Sequence, residues 1–111
     1  MEQDLKRVTE WINNKLDQTI TIQKKEQEDI DQVSFKVSQF DIRYPGEAKD
    51  DYLDSAIVLK GTGSTMNSDG DYEPLPQNTY EIIIADLEIT NINNEEVELT
   101  TTRAKYSISS Q

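Results

Sequence analysis

The side chains able to do chemistry in this chain are carboxylates, and they come in clusters. They gather at Glu26, Glu28, Asp29 and Asp31; at Glu47, Asp50, Asp51 and Asp54; at Asp69, Asp71 and Glu73; and at Glu95, Glu96 and Glu98. Histidine and cysteine are both missing from the 111 residues. That removes the commonest general base, the thiolate nucleophile and the usual transition-metal ligands. Pairs such as Asp50 and Asp51 could do acid/base work as in glycosidases. Adjacent loop carboxylates stay solvated, however, and a chain that is 34% hydrophobic announces no substrate pocket.

One cluster invites a metal test. In "NSDGDYE", Asn67, Asp69 and Asp71 alternate as oxygen donors, as in the first half of a calcium loop. The EF-hand pattern needs glycine after the third donor and glutamate at loop position 12. Tyr72 and Asn78 stand there instead, so no metal is expected. The stretch "GTGSTMNSDG" lacks the G-K-[ST] ending of a phosphate cradle and reads as a glycine-containing hairpin end. No cofactor is expected either. Asp86 and Arg103 interrupt two apolar runs, and a hairpin joining those runs would set them opposite or diagonal. They read as a structural, cross-strand ion pair.

The whole-chain charge points the same way. Twenty-two acids against 11 bases give a net charge of -11, a field that repels phosphate backbones and anionic headgroups. Direct nucleic-acid or membrane binding is disfavoured. The first residues, "MEQDLKRVTEWI", lack the basic and apolar regions of a signal peptide, and no apolar run reaches membrane-spanning length. A cytoplasmic protein is the simplest expectation.

The elements that must position these acids follow from periodicity. Residues 2–17 read as an amphipathic helix, with Leu5, Val8, Ile12 and Leu16 in a stripe and Trp11 beside it. Strands are expected at about 19–23, 32–44, 52–60, 79–90 and 97–108, and "KKEQEDID" between the first two is a solvated turn. Ile82, Ile83 and Ile84 put apolar groups on both faces, which suggests a central strand covered on both sides. Two strands change phase midway, from Val37 to Phe40 and from Leu99 to Ala104, as a β-bulge would produce. Residues 61–78, rich in glycine and proline, read as a long loop, mobile between Ser64 and Glu73. The expected fold is α+β: one N-terminal helix packed on a curved, mainly antiparallel sheet of about five strands, in one domain over residues 1–111.

Without a catalytic motif, the leading expectation is a small acidic, non-catalytic protein-interaction module. An inhibitor-like protein (an immunity protein, an antitoxin or a nucleic-acid mimic) acting on a basic partner gives that reading its content. Its candidate surface is Asp69, Asp71, Glu73, Asp50, Asp51 and Asp54. The alternative is a carrier holding a small apolar ligand between the helix and the sheet.

Overall fold

The computed structural model describes residues 2–43, 55–66, 70–75 and 78–110. Helix α1 spans Glu2–Asn13 and turns Val8, Trp11 and Ile12 inward, where all three are buried. It stops four residues before the expected end. The amides of Lys15 and Leu16 reach back only three residues, to Ile12 and Asn13, which tightens the last turn. Asp17 then adopts a positive φ of 65° and donates its amide to the Val37 carbonyl at 2.7 Å.

The strands are β1 Thr19–Glu26, β2 Asp29–Arg43, β3 Ala56–Met66, β4 Tyr72–Pro74, β5 Thr79–Ile83, β6 Glu88–Ile92, β7 Glu96–Thr100 and β8 Lys105–Ser110. They form one antiparallel sheet in the order β4-β3-β2-β1-β8-β7-β6, with β5 also paired to β3. Helix and sheet fit the α+β class, but the expected curved sheet of about five strands is overturned. Eight strands form, because two of the five expected strands are each two strands and the expected loop holds one more.

The run 79–90 is two strands with different partners. Asp86 takes φ 56° in the turn that separates them, a conformation that aspartate tolerates better than most residues. Strand β5 pairs with β3, whereas β6 pairs with β7. The stretch is therefore not the middle of the sheet; β1, β2 and β8 are. The run 97–108 is likewise two strands. The Thr101 hydroxyl accepts from the amides of Arg103 and Ala104, each at 3.2 Å, and this side-chain turn, not a bulge, accounts for the change of phase. The third misjudged segment is the loop 61–78. β3 continues to Met66, and β4 returns beside it in register Met66↔Tyr72, Thr65↔Glu73 and Ser64↔Pro74.

The phase change in β2 is a bulge, as its sequence implies. The register with β3 shifts between Val37 and Gln39. Val33, Phe35 and Val37 face the core before it, and Phe40 and Ile42 pack against the core after it. The solvated turn between β1 and β2 shrinks to Gln27 and Glu28, since the ladder runs out to Glu26↔Asp29.

One face of the sheet holds the core. Ile20 pairs with Phe35, Ile22 with Val33 and Ile108, Leu99 with Tyr106, and Ile57 with Ile82. All of these side chains lie in one buried cluster with α1. Residues 84–87 join the two far ends of the sheet, and four residues span at most about 14 Å. The sheet ends are thus held close together around the core, and the Thr102 amide donates to the Ala85 carbonyl at 3.0 Å across that junction. Among the described residues no helix is long and apolar enough to cross a membrane.

Candidate interaction surface

The topology collects acids at one end of the sheet. The β1–β2 turn carries Glu26, Glu28 and Asp29, and Asp31 follows on β2, all exposed. The far end of β3 reaches the same level through the pair Val33↔Thr65, and it brings β4 with Asp71 and Glu73. Tyr72 lies between them in the chain, projects from the opposite side of the strand, and is 52% exposed. It shares an open groove of about 480 Å³ on the outer face with Pro74, Ser34, Lys36, Thr62 and Ser64. Strand β4 ends the sheet, and Pro74 removes one amide from it, so this edge offers side chains more readily than a backbone ladder.

Of the six acids expected to form the surface, the structure places two together. Asp71 and Glu73 are exposed neighbours on the β4 hairpin, each with further interactions of its own. Asp50, Asp51, Asp54 and Asp69 lie outside the described residues, as does Asn67. Among the described residues no group of three or more histidine, cysteine, aspartate or glutamate side chains is placed to hold a metal. Asp86 and Arg103 do not sit opposite each other in a strand pair. Each occupies a turn, and the Thr102–Ala85 bond brings those turns to one corner of the fold.

The opposite end of the sheet carries the last acidic group among the described residues, that of Glu95, Glu96 and Glu98. The Asn93 side chain accepts from the amides of Glu95 and Glu96, at 2.8 and 3.0 Å, and so fixes the β6–β7 turn. A hydrogen bond with Glu98, aided by desolvation and by the Glu98 charge, holds the Glu96 carboxyl above the usual carboxylate range.

Two tyrosines close the inside of the acidic end. The Tyr80 ring lies 6.4 Å from that of Phe35. Burial, followed by Tyr106 and Asp31, pushes its hydroxyl far above the ordinary tyrosine value. Tyr106 is fully buried, and its hydroxyl completes no hydrogen bond among the described residues. Burial raises its pKa as well; the nearby Ile83 backbone and Arg103 oppose the shift, and Glu26 adds to it.

Sequence reasoning found the acids and missed the aromatic side chain between them. The alternation Asp71-Tyr72-Glu73 is the signal it passed over, because period two inside a loop is uninformative until the loop proves to be a strand.

A family model described as YmzB-like protein matches residues 1–111. A Bacillus subtilis (strain 168) protein named "Uncharacterized protein YmzB" is 34% identical over 112 residues, covering 95% of this chain and 93% of that one. No solved structure matches the chain.

Proposed function

The chain belongs to the YmzB-like protein family, and we propose that it is a non-catalytic interaction module presenting carboxylates to a basic protein partner. The observation that carries this reading is Tyr72, half exposed on the end strand of the sheet, with the exposed Asp71 and Glu73 as its chain neighbours. Exposed aromatic rings are favoured anchors in protein interfaces, where a polar rim surrounds them. The acids of the β1–β2 turn at the same end add a field that would steer a basic partner and repel nucleic acid or an anionic membrane. An inhibitor-like role, such as an immunity protein, an antitoxin or a nucleic-acid mimic, is the form of this reading that uses the charge most fully. A chain without histidine or cysteine supports the absence of catalysis. A cytoplasmic site of action is part of the proposal and rests on composition.

The carrier reading receives less support. Val8 and Ile12, both fully buried, fill the contact between helix and sheet. The concavity beside the helix is open and is lined by Arg7, Glu10, Asn14 and Asn93 as well as Trp11, which suits water better than an apolar ligand.

The test is a pull-down from the source cell with the immobilised full chain, at low and high salt. A basic protein should be retained at low salt, released as salt rises, and lost when Asp71→Asn and Glu73→Gln are combined. Retention that ignores both salt and these substitutions would remove the carboxylates from the proposal.

A further inference from the structure

The outer face of the sheet carries a charge arrangement that folding alone does not favour. Lys25 on β1 and Lys105 on β8 are direct partners in the register. Both strands lie inside the sheet, so these are not lysines that blunt an exposed edge. Both side chains are exposed on the outer face, and among the described residues neither joins an ion pair. Like charges directly opposite destabilise an antiparallel pair. Yet a chain with 11 basic residues against 22 acidic ones sets two of them face to face.

The surroundings supply what the lysines lack. On the next rung Gln23 and Ser107 are also direct partners, and they add an amide and a hydroxyl beside the two ammonium groups. These four line a concavity of about 230 Å³ that Ile30 and Glu98 complete. Ile30 pairs with Lys25 from the β2 side and is 57% exposed, an apolar wall beside the cationic pair. Glu98 pairs with Ser107 from the β7 side. Among the lining residues two ammonium groups stand against one carboxylate, and that carboxylate is itself engaged by a hydrogen bond with Glu96.

We propose that this concavity binds a small organic carboxylate with an apolar tail. The carboxylate bridges Lys25 and Lys105 and accepts hydrogen bonds from Gln23 and Ser107, and the tail lies on Ile30. One carboxylate can be shared by the two ammonium groups, whereas a doubly charged phosphate would meet Glu98 at close range. Bridging turns a repulsive cross-strand pair into two charge-assisted contacts. The proposal uses other residues than the Tyr72 surface and stands apart from the interaction reading.

The test is a titration of the full chain with hexanoate, followed through backbone amide shifts by NMR, with acetate and inorganic phosphate as comparison probes. Hexanoate should give saturable shifts at Gln23, Lys25, Lys105 and Ser107. Acetate, lacking the tail, should bind about tenfold more weakly, the loss expected from about two buried methylenes. Combining Lys25→Gln with Lys105→Gln should abolish saturation. That variant should melt no lower than the unsubstituted chain without ligand, because a like-charge pair is removed; lost binding therefore cannot be mistaken for lost folding. Ile30→Ser should reduce hexanoate to the level of acetate. Shifts that do not saturate, that persist in the double variant, or that favour phosphate over hexanoate would each overturn the proposal.

Discussion

The indole N–H of Trp11 donates to the backbone carbonyl of Asn93 at 2.7 Å. Two turns earlier in the helix, the Asp4 carboxylate accepts the Ile89 amide at 3.2 Å. Both acceptor and donor lie on or just beyond β6, the strand that ends its side of the sheet. Helix α1 therefore does more than cover the core: it supplies hydrogen-bond partners to backbone groups at an edge that has no further strand. Trp11→Phe should keep the packed ring and lose the bond, costing about 1–3 kcal/mol if the carbonyl is left unsatisfied. Urea melts with an unchanged m-value and a lower midpoint would show this; an unchanged midpoint would mean that water replaces the bond at no cost.

Gly61 faces the bulge in β2. A Cβ there would run into the Lys36 carbonyl and crowd the Ser38 amide, backbone atoms that cannot swing aside. Gly61→Ala should destabilise the protein by about 1–3 kcal/mol or more, the usual cost of overpacking. Thermal unfolding of the variant checks it, and an alanine tolerated without loss would show that the bulge is free to shift.

Much of the fold was legible in the sequence, and the failures have physical causes. The helix stripe and the bulge between Val37 and Phe40 rest on side-chain periodicity, which burial enforces directly. The boundaries at Asp86 and Thr101 rest on single residues that turn the chain, one through a positive φ and the other through its hydroxyl. A hydrophobic run hides the first of these, and a change of phase can mean a turn as readily as a bulge. Gly61 and Gly63 look like loop residues, yet both lie in β3. A side chain on Gly63 would come within 2.5 Å of the Phe35 ring, so a core demand for space was read as a demand for flexibility. At the candidate surface the acids were legible because charge needs no fold to be counted. The exposure of Tyr72 was not, since it depends on the pairing of β4 with β3.

The buried tyrosines set an alkaline limit on stability. The folded-state pKa values of Tyr80 and Tyr106 lie above the ordinary value of 10.0, so the folded chain holds these protons more tightly than the unfolded one. Their contribution is fully present below pH of about 10 and is lost as pH rises above it, while the unfolded chain ionises first. Tyr80 and Tyr106 should stay un-ionised in ultraviolet titrations until the protein unfolds, and Tyr80→Phe should flatten the alkaline loss. Ionisation of every tyrosine in a still-folded chain would contradict this.

The most direct measurement of the central claim is site-specific crosslinking from position 72. With Tyr72 replaced by a photoreactive phenylalanine in the full-length chain, irradiation in the source cell should yield a discrete adduct with a basic protein. Its yield in extracts should fall as salt is raised past 0.1 M, where the screening length is about 10 Å. The yield should fall again with Asp71→Asn and Glu73→Gln. The same group at Thr90, exposed on β6 away from the acidic end, should give no such adduct. Equal labelling from both positions, or an adduct indifferent to salt and to the two amides, would contradict the reading of this edge as a charged docking surface.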